Sequence, residues 1–197
     1  MKNNFTRGSG LLEGFLAKKR TQKANSLIKD KQRKGRILDI GCGSYPFFLI
    51  NTDFKEKFGL DPSLNLAKVK DKKLTLKSFD VTKSKLPFKE NYFDVVTMLA
   101  VFEHLDEEKI NFVLQNVKRV LKKGGIFIIT TPAPWSDNLL HQMAKVNLIS
   151  SEEIHEHKTH YQRKKIVSLI ESSGFDKKNI QSGFFEIYLN MWFTANK

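Results

Sequence analysis

An apolar run that ends in a tight glycine turn constrains this chain more than any other feature. The run is Ile37-Leu38-Asp39-Ile40 and the turn is Gly41-Cys42-Gly43. Eighteen residues after Gly43, a second apolar run ends in Gly59-Leu60-Asp61. A buried strand, a turn whose glycines let backbone approach a ligand, and an acid closing the next strand are the parts with which α/β proteins hold a nucleoside. The acid offers two oxygens to two ribose hydroxyls.

The rest of the chain alternates in the same way, which predicts parallel βαβ units. Strands are predicted at Ile37–Ile40, Lys57–Leu60, Leu74–Ser78, Phe93–Leu99 and Ile126–Thr130, the last entered through a turn at Lys123-Gly124-Gly125. Between them come a helix opening at Phe47–Asn51 behind Pro46, one capped by Ser63, and a long one capped by Asp106. That long helix puts Ile110, Val113, Leu114, Val117 and Leu121 on one face. A last helix over Arg163–Ser173 is stopped by Gly174. Two aromatic runs, Ile180–Phe185 and Ile187–Phe193, then follow with no room for a crossover helix, so they are predicted to pair as an antiparallel hairpin. Thr131–Tyr161, with Pro132, Pro134, Trp135 and four of the five histidines, fits no regular element. It follows a strand's carboxyl end, where open α/β sheets bind ligands.

The 197 residues suit one domain, read as a basic N-terminal helical segment (1–35), a cofactor-binding half (36–131) and an acceptor-side segment with the closing hairpin (132–197). Cys42 is the only cysteine, so no intrachain disulfide forms. With no signal-like stretch in residues 1–10 and no run long enough to span a bilayer, the expectation is a cytoplasmic protein. The net charge of +13 is concentrated: residues 1–36 carry +9 and the remainder +4. That excess overlaps Leu11, Leu12, Phe15, Leu16, Leu27 and Ile28 at helical spacing. It reads first as the solvated face of a packing helix, and alternatively as an RNA contact or an anionic membrane-surface contact.

The turn does not match a dinucleotide loop, because Pro46 stands where the third glycine belongs. Asp39 lies inside a strand, where a carboxylate is expensive unless bonded. It is useful there if it fixes the turn or meets a cationic ligand. S-adenosylmethionine (SAM) carries an ammonium and a sulfonium, whereas NAD has no amino-acid tail. Asp80, followed by Val81, falls just past the third strand, where a carboxylate can accept from an adenine amino group and Val81 can cover the ring. A turn aspartate is the other reading.

With Leu99-Ala100-Val101-Phe102-Glu103-His104-Leu105 leaving the fourth strand, the sequence resembles the class I SAM-dependent methyltransferases of the broad small-molecule type. LDIGCG, the GLD acid, the FDV and LPF–FD stretch, FEHL, LKKGG and TTP occur in order, and HKTHYQRKKIVSLIESSGF closes the likeness, which runs from about Arg36 to Phe175. The resemblance implies a Rossmann-like α/β fold: a seven-stranded mixed sheet in the order 3-2-1-4-5-7-6, strand 7 antiparallel, with helices on both faces. It implies that Asp39, Gly41, Cys42 and Gly43 surround the methionine part of SAM. Asp61 would hold the ribose, with Pro62 beside the adenine and Asp80 and Val81 reading it. Ala100 would supply backbone near the sulfonium, with Phe102 and Glu103 nearby. The product would be S-adenosyl-L-homocysteine.

Methyl transfer needs alignment and exclusion of water, and a hydroxyl acceptor also needs a base. His104, leaving the fourth strand, is the first candidate, and His160 the second. Trp135, His141 and Tyr161 are candidates for lining the acceptor pocket. His155-Glu156-His157 is not the zinc-helix spacing, and no metal is predicted. The acceptor is predicted to be a small molecule or a lipid- or sugar-linked intermediate, methylated on O or N. RNA is the alternative, lacking an Asn/Asp-Pro-Pro-Tyr-type motif at Leu99–Phe102. An NAD(P) oxidoreductase and a non-catalytic SAM-binding scaffold are the remaining readings, and the oligomeric state stays open.

Overall fold

The computed structural model describes residues 12–64, 73–136, 142 and 161–197. Seven strands form one sheet: β1 (Arg36–Ile40), β2 (Glu56–Leu60), β3 (Leu74–Lys77), β4 (Phe93–Leu99), β5 (Leu121–Pro132), β6 (Ile180–Phe185) and β7 (Asn190–Asn196). Their order is β3-β2-β1-β4-β5-β7-β6. β1 to β5 are parallel, and β7 runs antiparallel to both β5 and β6. This is the expected Rossmann-like arrangement.

Among the described residues five α-helices flank the sheet: α1 (Glu13–Leu27), α2 (Asp30–Arg33), α3 (Phe47–Ile50), α4 (Glu107–Val120) and α5 (Arg163–Ser172). One core lies between the sheet and α4 and α5, built on Leu38, Val96, Phe127 and Ile129 with Ile110, Leu114, Ile166 and Ile170. The other lies between Ile37, Val95, Ile126 and Ile128 and the residues Ala24, Ile28, Phe48 and Leu49. Alternate residues of β1, β4 and β5 thus feed opposite cores, which is why these strands read as continuous apolar runs. α4 begins with Asp106 at its N-cap position, acids in its first turn and Lys118 and Arg119 in its last, matching the helix dipole.

Four sequence expectations shift. α1 buries Ala17, Thr21 and Ala24, small residues that let the helix lie close, with Ile28 buried just past its end, while Phe15 of the expected apolar stripe stands 54% exposed. The expected turn Lys123-Gly124-Gly125 is a bulge inside a longer β5: Leu121 still pairs with Phe93, and the ladder resumes at Ile126 with Val95. The second hairpin strand is Asn190–Asn196 rather than Ile187–Phe193, because Glu186, Ile187 and Tyr188 all take left-handed backbone and make the turn. Nearly all of the helix expected after Ser63, and most of Thr131–Tyr161, lies outside the described residues. Pro134–Ser136 there is one 3-10 turn.

Candidate functional site

Parallel pairing sets the carboxyl ends of β2, β1 and β4 side by side, Leu60 opposite Ile40 and Ile40 opposite Met98. The glycine turn leaves from the middle of that edge. Gly41 and Gly43 have φ of +74° and +77°, which glycine adopts without penalty. The N–H groups of Gly41 and Cys42 both donate to the Leu60 carbonyl, at 2.7 and 3.2 Å. A Cβ on Gly41 would sit 2.2 Å from Cγ2 of Val101, so the β4 exit packs directly on the turn. Beside Gly43 the space is open, the nearest atom being the Tyr45 carbonyl oxygen at 3.6 Å.

Asp61 closes the turn. Its Oδ2 accepts the Gly43 N–H at 2.9 Å, and its Oδ1 accepts the N–H and hydroxyl of Ser63 at 2.8 and 2.6 Å. Three donors from the chain therefore converge on a carboxylate that is 2% exposed. Beneath the turn, Asp39 stands in register with Thr97 of β4 and Gly59 of β2. The Thr97 hydroxyl donates to its Oδ1 at 2.6 Å. Burial pushes the Asp39 carboxyl up to about 7, against the lowering effect of Thr97 and with a further rise from the Asp61 charge. Gly59 has no side chain because a Cβ there would meet Cys42 Sγ at 2.8 Å and Leu76 at 2.7 Å.

The β4 exit is the second half of the site. Ala100 has φ of +56° and donates its N–H to the Thr130 carbonyl at 2.9 Å. Phe102–His104 then form one 3-10 turn. Glu103 is 2% exposed; Thr131 Oγ1 donates to its Oε2 at 3.0 Å, while the buried Oε1 has no hydrogen-bond partner among the described residues. Burial raises its pKa, opposed by His104, by the Thr131 bond and by Arg20 of α1. His104 is half-buried, and its backbone N–H donates to the Val101 carbonyl.

The other candidates separate. Phe102 is fully buried in the core and meets the Tyr161 ring edge-on, centroids 5.5 Å apart; Tyr161 is itself 6% exposed. Asp80 accepts the N–H and hydroxyl of Thr82 at 3.0 and 2.6 Å and pairs with Lys83, bonds that lower its pKa and fit the turn reading. Val81 is buried beside it and Pro62 is exposed, its carbonyl accepting from Ser78. Trp135 stands exposed, while His141 and His160 lie outside the described residues. Among the described residues no cluster of His, Cys, Asp or Glu could hold a metal ion. Sequence reasoning passed over Thr97 and Thr131, which orient Asp39 and Glu103. Their signal is a hydroxyl inside an otherwise apolar strand.

A turn closed by an acid from the next strand, over a buried acid in the first, coincides with a family match. The family described as a methyltransferase domain matches residues 38–129, from the middle of β1 to the middle of β5. The match takes in just under half of the chain, and over it the chain is similar to methyltransferase domains. An uncharacterized protein of Methanocaldococcus jannaschii is 36% identical over 96 residues, covering 47% of this chain and 39% of its own. O-methyltransferase 3 of Dictyostelium discoideum is 27% identical over 139 residues, 64% of this chain and 30% of its own. The chain thus spans well under half the length of these curated relatives. Among solved structures, a Haloferax volcanii protein in complex with the Trm112 methyltransferase activator superposes with a TM-score of 0.70, covering 93% of this chain and 92% of its own at 15% identity. An S-adenosylmethionine-dependent methyltransferase of Mesorhizobium loti does so with 0.67, covering 92% and 100% at 17% identity. At these identities the structural likeness is one of fold.

Proposed function

We propose that this methyltransferase domain uses SAM to methylate an O or N atom of a small-molecule, lipid-linked or sugar-linked acceptor. The observation that carries the reading is the Gly41–Gly43 turn held by Asp61 over the buried Asp39. The donor set fits the cofactor: left-handed Gly43 beside open space admits backbone contact, and a desolvated carboxylate gains most from a cation. Asp39 and the turn would hold the amino-acid part, Asp61 with Ser63 the ribose, and Val81 the adenine. Ala100 and Val101 would form the wall near the reacting centre.

When bound, SAM supplies an activated methyl group on a sulfonium. The chain's task is to align the acceptor and keep water out. Two groups at the β4 exit can take the acceptor's proton. His104 is one, since histidine is the side chain suited to proton transfer near neutral pH. Glu103 is the other: Thr131 fixes one of its oxygens, and Oε1, with no partner among the described residues, is available to receive a proton from an acceptor O–H or N–H.

Calorimetry with SAM and S-adenosylhomocysteine tests the cofactor. Micromolar binding is expected, weakened at least tenfold, ~1.4 kcal/mol or more, by Asp61→Ala. A folded protein that binds neither would refute the proposal. Labelled SAM incubated with small-molecule, lipid and RNA fractions then identifies the acceptor by which fraction takes up label.

A further inference from the structure

Three of the four large hydrophobic side chains that stand exposed among the described residues gather at the tip of the β6–β7 hairpin, and the fourth, Phe15, stands on α1. Ile187 is 92% exposed, Tyr188 65%, Trp135 57% and Phe15 54%. On one side the Trp135 ring lies 5.2 Å from Phe184, and Phe184 lies 5.6 Å from Tyr188. On the other, Lys19 sits over the Phe15 ring at 5.3 Å and acts electrostatically on Glu186, the residue before Ile187. Single exposed hydrophobics are ordinary; a group gathered at one point marks a contact surface.

The tip also carries backbone strain. Glu186, Ile187 and Tyr188 have φ of 52°, 53° and 65°. A turn that only reverses the chain favours Asn, Asp or Gly in this conformation, and a β-branched residue there is an outlier. The isoleucine is therefore costly twice, in strain and in exposed apolar surface.

Cations flank the tip on both sides. α1 presents exposed Lys19 and half-buried Arg20, both of which act electrostatically on Glu186. α5 begins with exposed Arg163, Lys164 and Lys165, the Arg163 guanidinium 5.6 Å from the Phe184 ring. The acids nearby are partly engaged: Glu186 accepts from Asn190, and Glu107 pairs with Lys165.

We propose that this tip docks on an anionic lipid bilayer, Ile187 and Tyr188 entering the interfacial layer while the cations of α1 and α5 meet lipid head groups. Apolar tips framed by Lys and Arg match that surface in both chemistry and charge. RNA would satisfy the cations, and its bases would stack on Trp135 and Tyr188, but the outermost residue is aliphatic and offers no stacking plane. Among the described residues no helix is long and apolar enough to cross a membrane, so the contact is peripheral. Because the tip touches the end of β5, through the Ala133 N–H on the Leu189 carbonyl, docking sets the carboxyl edge of the sheet beside the bilayer.

The test is co-sedimentation of the full chain with phosphatidylcholine vesicles, with and without phosphatidylserine. Binding is expected only to the anionic vesicles and should weaken as salt rises. Ile187→Asn/Tyr188→Asn suits the left-handed turn, so the fold should be kept, and it should lower partitioning by roughly tenfold or more. Trp135→Ser repeats the measurement away from the turn, and Lys19→Glu should weaken binding at low salt. The proposal is overturned by no vesicle binding, by equal binding of the variants, or by capture of bulk tRNA in preference to vesicles. Self-association that the Asn pair abolishes would overturn it too. SAM binding is indifferent to these outcomes, so failure here leaves the methyltransferase reading standing.

Discussion

Replacing Asp39 by asparagine should make the protein more stable and a poorer SAM binder. Burial sets the Asp39 carboxyl at about 7, against an ordinary 3.8. Between those values the folded state keeps a proton that the unfolded chain has lost, so stability falls as pH rises through the window and levels off above about 7. At ~1.4 kcal/mol per pH unit, the carboxylate costs up to about 4 kcal/mol on the alkaline plateau. Asparagine keeps the shape and an oxygen for the Thr97 hydroxyl, now bonded at 2.6 Å, but carries no charge. Urea titrations should then show the variant ahead by about 1 kcal/mol near pH 5 and by ~2–4 kcal/mol near pH 8.

Binding should move the other way. A cation beside Asp39 favours its ionised form, so SAM affinity of the wild type should rise with pH through about 7 and release protons below it. The Asp39→Asn variant should bind weakly and without that slope. A variant less stable than wild type near pH 8, or a stability difference that is flat with pH, would refute a desolvated carboxylate at this position. Unchanged SAM affinity would remove Asp39 from the cofactor site while leaving the stability argument intact.

Gly41→Ala and Gly124→Ala separate two costs of a left-handed glycine. Both have φ near +75°, but a Cβ on Gly124 meets nothing, while one on Gly41 strikes Val101. Gly124→Ala should lose about 1 kcal/mol and Gly41→Ala distinctly more, as well as S-adenosylhomocysteine affinity, measured by thermal melts and calorimetry. At Glu103, Thr131→Val removes the bond that holds Oε2 and should cost ~1–3 kcal/mol in denaturant titrations. Glu103→Gln removes a carboxyl whose pKa burial has raised, so its stability relative to wild type should improve as pH rises. If Glu103 takes the proton, turnover should fall far more than cofactor affinity.

The parts that were legible in the sequence are those that repeat a local physical rule. Ile37–Ile40, Phe93–Leu99 and the hairpin spacing gave themselves away because buried parallel strands must be apolar throughout and two adjacent strands cannot cross over in a short turn. Gly41 and Gly43 were legible because a left-handed turn is a local demand, and Asp61 because a fixed βαβ spacing brings the end of the next strand beside that turn. What escaped depends on partners distant in sequence. Phe15 looked like a core residue until Ala17, Thr21 and Ala24 took the buried face, since only close approach of α1 to the sheet rewards small side chains. The lysine–glycine–glycine turn proved to be a bulge because Leu121 finds Phe93 across the ladder, a pairing no window of sequence contains. Thr97 belongs to the same class. Within β4 it is a minor polar interruption; across the sheet, in register with Asp39, it is the hydroxyl that makes a buried acid tolerable. A charged group kept inside a strand with one neutral donor is not a stability device, because burial costs it more than that hydroxyl returns. In the proposed SAM site, a ligand cation would bring the positive charge that this carboxylate lacks.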